Sequence, residues 1–551
     1  MCNLCILLLL CCCAATYAAE ILFIISCPSS GRHNCRALRQ NLWQQQQQEQ
    51  VIATDYAIKV HIIHELFNYW TLLDALPHLR SQTRLLNAHT DWIIWCQHNT
   101  HVSSLRLLLD QLQRQDAQEL AYYGHALHDA EATIVHHFAH YKNPTWFPYP
   151  LLSAGVVFTG TLLRSLAELV AVNATNVKRR SEFAIDAAHE LARFIFDNLT
   201  PRPNDNDADD ADKGHKYEGD EDIGNMLQLQ RKIILKSAAY ICPSTYLSPA
   251  ASETQSAGAT SPTTAPCVLH AKQDAALGSL ADASEHALPA CVHTRGTHIY
   301  FAIKTCAKFH KERIPIIERT WAQEAPQRTY YSDVADGSIP TISTGLPNVP
   351  TGHCAKTLKI LQLSLQDIER RQRQDIRWLM LVDDDTLLSV PRLSVLLSCY
   401  NHSELIYLGE RYGYRLHAAD GFNYHTGGAG IAFSLPLLRL LLQRCSCPAP
   451  AAPDDMILGY CLQALGVAAL HAPQLHQARP QDYAAELLQQ LPPPISFHKF
   501  QLTTPEYTYQ RWLNGSLAAN HSRIQAAAAA PVNDSQLESC SRTQTKRCTD
   551  L

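Results

Sequence analysis

Three consecutive carboxylates, Asp383-Asp384-Asp385, end the apolar run Trp378-Leu379-Met380-Leu381-Val382. Such a run predicts a short buried strand. Asp is a poor strand residue and unpaired buried charge is costly, so three acids at a strand's end need partners. A hard divalent cation held by oxygen ligands would serve, and would neutralise a substrate diphosphate. An acidic turn or a helix cap is the plainer alternative. Further on, Pro453-Asp454-Asp455-Met456 opens an amphipathic helix. One Asp suffices as a cap; Asp454 is expected in that role, which leaves Asp455 free as a general base. His498 interrupts the strand-like run Ile495-Ser496-Phe497-His498-Lys499-Phe500 and would complement Asp385 as a metal ligand. His476 is a second candidate ligand, although a lone His is usually structural.

Two weaker features accompany these. Gly427-Gly428-Ala429-Gly430 precedes another apolar run. Glycines there permit a close backbone approach to a ligand, and a tight turn would use them equally. Phe301-Ala302-Ile303-Lys304-Thr305-Cys306 reads as the opening strand of this half, followed by Lys308, Lys311 and Arg313. Basic residues after a first strand suit a diphosphate; a solvated helix face would look the same.

The elements that must position these groups occur twice. Trp92-Ile93-Ile94-Trp95-Cys96-Gln97-His98-Asn99-Thr100 aligns without a gap with residues 378–386. Each copy continues with a Leu-rich helix and a matching strand, Glu119-Leu120-Ala121-Tyr122-Tyr123-Gly124 against Glu404-Leu405-Ile406-Tyr407-Leu408-Gly409. Ala154-Gly155-Val156-Val157-Phe158 likewise matches Ala429-Gly430-Ile431-Ala432-Phe433. Two copies of one α/β fold are expected. In the first copy Gln97-His98-Asn99 stands in place of the carboxylates. One His without acids is a poor site for a hard cation, so the first copy is expected to be degenerate and non-catalytic.

The rest of the chain of 551 residues frames these copies. Residues 1–19 form an apolar leader ending Thr16-Tyr17-Ala18-Ala19, read as a cleaved signal peptide too short to span a bilayer comfortably. The expected organisation is a signal peptide over 1–19, a first copy over 20–245, a polar linker over 246–289, a second copy over 290–500, and a peripheral tail over 501–551. The glutamine tract 44–48 reads as low-complexity surface, 201–222 with its nine acids as a solvated loop, and 226–239 as a helix. With 46% apolar residues, 18% charged residues and a net charge of −5, the chain is globular and lacks the basic stripe of a nucleic-acid binder. Of 19 Cys, five fall in the leader. The others show no paired zinc spacing, which favours disulfides in an oxidising lumen, with Cys445 and Cys447 each pairing elsewhere. Sequons at Asn173, Asn198, Asn401, Asn514, Asn520 and Asn533 fit a secretory route.

In their order, Lys304-Thr305 with Lys308-Phe309-His310, Thr320-Trp321, the acid triad, Gly-Gly-Ala-Gly and Pro-Asp-Asp-Met resemble the fringe-like glycosyltransferases. The paired architecture, Ala126-Leu127-His128-Asp129, Gly409-Glu410-Arg411-Tyr412-Gly413-Tyr414, His476-Gln477-Ala478-Arg479-Pro480 and Ser496-Phe497-His498-Lys499 resemble those members that extend O-linked fucose on thrombospondin type 1 repeats. The resemblance implies two tandem GT-A, Rossmann-like domains, the first degenerate. It implies an inverting transfer of glucose from UDP-glucose, in β-1,3 linkage, to O-fucosylated repeats, with Mn²⁺ as cofactor. Asp385 with His498 or His476 would bind the metal. Asp383, Asp384, Lys304, Thr305, Arg313, Gly427, Gly428 and Gly430 would hold the donor, and Asp455, beside Asp454, would deprotonate the fucose hydroxyl. Residence in the lumen of the endoplasmic reticulum, without a stable membrane span, is also implied; Cys548-Thr549-Asp550-Leu551 only loosely resembles a retrieval signal. Two alternatives stay open: a fringe-like transferase of galactose or N-acetylglucosamine, and a non-catalytic, lectin-like module that binds fucosylated repeats.

Overall fold

The computed structural model of the chain describes residues 19–28, 32–48, 56–64, 70–82, 84–136, 144–171, 180–200, 232–243, 267–271, 294–372, 375–488 and 493–514. Two mixed sheets dominate. The first runs in the order Lys236–Ser237, Tyr122–Gly124, Val156–Thr159, Thr90–Gln97, Ala19–Cys27, Tyr56–His64. The second runs Ala469–His471, Tyr407–Gly409, Ile431–Ser434, Trp378–Asp383, Ile299–Lys304, Arg328–Ser332, Thr341–Ser343. The two orders coincide strand for strand until the second sheet adds its edge. In each, the third strand is antiparallel to both neighbours. The segments that repeat in sequence therefore occupy the same sheet positions.

Strands covered on both faces need apolar residues at consecutive positions, and the central strands have them. Phe23 and Ile25 face one core while Leu22 and Ile24 face the other. In the second sheet Phe301 and Ile303 oppose Tyr300 and Ala302 in the same way. Leu72–Ser81 and Gly160–Ala171 cover one face of the first sheet. Cys354–Arg370 and Leu435–Arg444 cover the matching face of the second.

Several local expectations change. Among the described residues of 226–239 there is no helix; 236–237 form a strand that extends the first sheet. Leu269–Ala271, inside the expected linker, pairs with Thr100–Val102 and is tied back by the Cys242–Cys267 disulfide, so the first unit reaches at least residue 271. The glutamine tract ends the helix Arg32–Gln48. Its Gln45 accepts the Leu105 N–H at 2.6 Å and donates to the Val102 carbonyl at 2.9 Å, a structural task that low complexity conceals. In the tail, Tyr509 and Leu513 are buried in the second core. The leader up to residue 18, the acidic loop 202–222 and the C-terminal tetrapeptide lie outside the described residues.

The halves are joined by more than covalent continuity. Phe183–Ala184 from the first half pairs with Tyr414 and Gly413, completing a three-stranded sheet with Arg411–Tyr414 and Phe422–His425. The Trp70 indole N–H donates to Asn423 Oδ1 at 2.9 Å, and the Arg411 guanidinium lies 4.8 Å from the Trp70 ring centroid. Disulfides join Cys27 to Cys35, Cys354 to Cys447 and Cys445 to Cys461, consistent with a secretory lumen. Among the described residues no helix is long and apolar enough to cross a membrane.

Candidate active site

The acids sit where open α/β sheets bind ligands, at the carboxyl ends of parallel strands. Register sets Lys304 beside Asp383. Lys304 Nζ lies 3.1 Å from Asp383 Oδ1 and 2.9 Å from Asp454 Oδ2, so one ammonium spans two acids from different elements. Thr305 donates to Asp384 Oδ2 at 2.7 Å. Arg313 reaches Asp384 at 2.6 Å and Asp385 at 3.0 Å while stacking 3.6 Å from the Phe309 ring centroid. Beyond the triad, Thr386–Leu388 pairs with Ser496–His498, with Thr386 opposite His498. That register carries the imidazole onto the acids: His498 Nε2 is 3.1 Å from Asp385 Oδ1 and 3.8 Å from Asp383 Oδ2.

Asp383, Asp385 and His498 each offer one ligand atom, all within 4.8 Å of one another. Two carboxylate oxygens and one imidazole nitrogen suit a divalent cation of the Mn²⁺ type. Burial pulls the His498 pKa down, but Asp385 and Asp383 outweigh it and hold it above its ordinary value. Burial raises Asp385, yet His498 and Arg313 leave it below the usual carboxylate range. Asp384 points elsewhere, towards Thr305 and Arg313, and burial pushes its pKa up to about 6.

The helix Asp454–Ala464 brings the remaining acids. Its N-cap is Pro453, so Asp454 is not the cap expected of it; its carboxylate accepts from Lys304 and, at 2.6 Å, from Thr357. Lys304 outweighs burial and lowers its pKa. Asp455 is half-buried and, among the described residues, forms no ion pair. Burial and the neighbouring Asp454 charge raise its pKa to about 7, a value matched to a base working near neutrality. The helix start is fixed from outside: Asp454 N–H donates to the Gly352 carbonyl at 3.0 Å. The Cys354–Cys447 and Cys445–Cys461 disulfides brace the segments on either side. Gly352, at φ +87°, has no room for a Cβ beside the Ala451 carbonyl.

The glycine loop touches this site from the third strand's entry. A Cβ on Gly428 would fall 2.4 Å from the His498 ring, whereas Gly427 has open space around it. Gly428→Ala is therefore expected to displace His498 and weaken divalent-cation binding by about tenfold or more, with Gly427→Ala as the tolerated comparison. Calorimetric titration with Mn²⁺ measures both. His476 is not in the cluster. It is buried, stacked on Phe497 at 5.0 Å and beside Tyr483 at 4.7 Å, and burial lowers its pKa to about 3.

Other participants escaped the sequence reading. Lys356, buried, donates to the Thr305 carbonyl at 2.6 Å, and Thr357 holds Asp454. Both lie on a helix whose polar residues look like ordinary surface; only their spacing after Gly352 and Cys354 hints otherwise. In the first half no carboxylate occupies the triad position. A second cluster, Asp129, His136 and His189, lies elsewhere in that half. There His136 is clasped by Asp129 at 2.6 Å and Asp186 at 2.9 Å, and these carboxylates outweigh burial to raise its pKa to about 9.

The fringe-like family model matches residues 294–510, which span the second sheet and every residue of the site. A beta-1,3-glucosyltransferase of Mus musculus is 36% identical over 90% of this chain and 86% of its own length. Its counterpart in Homo sapiens is 34% identical over 90% of this chain and 84% of its own. A beta-1,3-N-acetylglucosaminyltransferase, lunatic fringe of Xenopus laevis, is 26% identical over 32% of this chain and 53% of its own. The high-identity matches run through both halves, whereas the fringe match covers about a third. The chain belongs to the β-1,3-glucosyltransferases, glycosyltransferases with a fringe-like domain.

Proposed function

We propose that this enzyme transfers glucose from UDP-glucose, with inversion, to the 3-hydroxyl of O-linked fucose on thrombospondin type 1 repeats. The observation that carries the reading is one base candidate, Asp455, joined through Asp454 and Lys304 to the cluster Asp383, Asp385 and His498. Glucose as the sugar rests on the relatives' names, which share both halves with this chain. UDP-glucose carries its sugar in α linkage, so a β product requires one displacement from the opposite face, and one base suffices. Asp455 takes the proton of the acceptor hydroxyl; that oxygen bonds to the anomeric carbon as the bond from carbon to the diphosphate oxygen breaks, and UDP leaves. Asp383, Asp385 and His498 would hold Mn²⁺, which when bound offsets the charge on the diphosphate. Arg313, Lys304, Thr305 and Asp384 form the polar wall beside it, and the glycine loop gives the donor close backbone access.

The first half, lacking the acids, is non-catalytic in this reading and orients the folded acceptor. Its strand Phe183–Ala184 lies against the sheet on which the Asp455 helix packs, with Gly459 against Tyr424. Residence in the endoplasmic reticulum belongs to the same proposal. The test is transfer from UDP-glucose, UDP-galactose and UDP-N-acetylglucosamine, with Mn²⁺, to a folded repeat bearing O-fucose. Glucose transfer alone is expected. Preference for another sugar would overturn the donor assignment, and binding of the repeat without any transfer would favour a lectin.

A further inference from the structure

The segment between Leu475 and Asp482 meets three parts of the site through one residue. The Gln477 carbonyl accepts the His498 Nδ1–H at 2.9 Å. That bond fixes the tautomer in which Nε2, the nitrogen facing Asp385, is the one available to a cation. The Gln477 side-chain oxygen accepts the Ala429 N–H at 3.1 Å and the Thr426 hydroxyl, which ties down both ends of the glycine pair. The Gln477 N–H donates to Glu410 Oε2 at 2.7 Å. Glu410 itself is buried, and its own carbonyl accepts the Thr426 N–H at 3.1 Å. One carboxylate thus anchors the strap from which both the metal-facing histidine and the donor loop hang. Two residues on, Arg479 holds Asp482 at 2.7 Å and reaches Glu131 of the first half at 3.2 Å.

A buried carboxylate without a cation is costly to keep. Burial pushes the Glu410 pKa up to about 8. The orientation of His498 offers a reason for an acceptor at this point.

We propose that Glu410 and Gln477 are positioning residues: Glu410 fixes Gln477, and Gln477 sets the tautomer and place of His498 and the course of residues 426–429. This rests on the reading of Asp383, Asp385 and His498 as a divalent-cation site. The pair touches neither donor nor acceptor in this account; it acts through His498.

The experiment is Mn²⁺ binding to the full chain in the presence of UDP, followed by electron paramagnetic resonance of the free ion, so that no turnover is needed. Glu410→Ala and Gln477→Ala are expected to weaken Mn²⁺ binding by about tenfold to a hundredfold, the range typical of partners behind a metal ligand. Glu410→Gln, which keeps an oxygen acceptor for the Gln477 N–H, is expected to stay within about threefold of wild type, as a rescue by shape that general destabilisation would not give. If Glu410→Ala fails to fold, Gln477→Ala carries the test of the side-chain part: it keeps the main-chain bonds to Glu410 and His498 and loses the contacts to Thr426 and Ala429 and the 3.4 Å approach to His498 Nδ1. Wild-type affinity in both alanine variants, with binding lost in Asp385→Ala, would overturn this inference and leave the metal site standing. Failure of wild type to bind Mn²⁺, or unchanged binding in Asp385→Ala, would overturn the metal site and this inference with it.

Discussion

Asp455→Asn is expected to lower kcat for glucosyl transfer by about 10²–10⁴-fold, the usual contribution of a positioned general base. The amide keeps the shape of the carboxylate and can still accept the Met456 N–H, which Asp455 Oδ1 meets at 2.8 Å. It cannot take a proton. With a pKa raised to about 7 by burial and by Asp454, the Asp455 carboxyl is protonated below neutrality. The wild-type kcat/KM should therefore rise through about pH 7 to a plateau above it, and the variant's residual rate should lack that limb. Stability moves in the opposite sense. A carboxyl whose folded pKa exceeds its unfolded value binds more protons when folded, so the fold loses stability as pH rises from about 4 through about 7. The amide removes that loss, and the variant should melt no lower than wild type above neutrality. A loss of kcat below tenfold, or a wild-type profile flat across neutrality, would remove Asp455 from the role of base.

The parts of this site that sequence made legible share one property: each is a local violation of what its element should contain. Three acids at the end of a buried strand, two at a helix start and a histidine within an apolar run all stand out against apolar periodicity. The structure brings Asp383, Asp385, His498 and Asp455 to one end of one sheet. The repeated segments were legible as buried strands, because such strands need consecutive apolar residues and the chain supplies them twice; the order in which the strands pair was not. What stayed hidden depends on long-range pairing. Glu410, Gln477, Lys356 and Thr357 look like ordinary polar residues until the fold brings them to their partners. Asp454 misled for the same reason: a helix cap is a local expectation, and the ammonium that claims it lies 150 residues away. The strand 269–271 and the buried tail residues 509 and 513 carry too few apolar positions to show a period, and only their neighbours make them part of a core.

That distant ammonium supports the second large effect. Lys304→Met should cost about 2 kcal/mol of stability, below the range for one partner removed from a fully buried ion pair because all three groups are half-buried, since Asp383 and Asp454 would then face each other without a cation. Activity should fall by about a hundredfold in kcat/KM even well below the melting temperature, since the helix start that carries Asp455 loses its tie to the triad strand. The pH dependence separates this from simple loosening. Lys304 lowers the Asp455 pKa, so its removal should shift the rising limb to higher pH. Lys304→Arg keeps the charge but not the compact ammonium that fits between two acids, and should retain stability better than activity. The pair can be isolated with Asp454→Asn. The double variant Lys304→Met/Asp454→Asn removes both charges, and it should recover part of the stability lost in Lys304→Met, giving a coupling of about 2 kcal/mol in a denaturant-unfolding cycle. Effects that add to within about 0.5 kcal/mol would mean that Lys304 and Asp454 act independently, and that the helix start is held by its disulfides, the Gly352 carbonyl and Thr357 without help from Lys304.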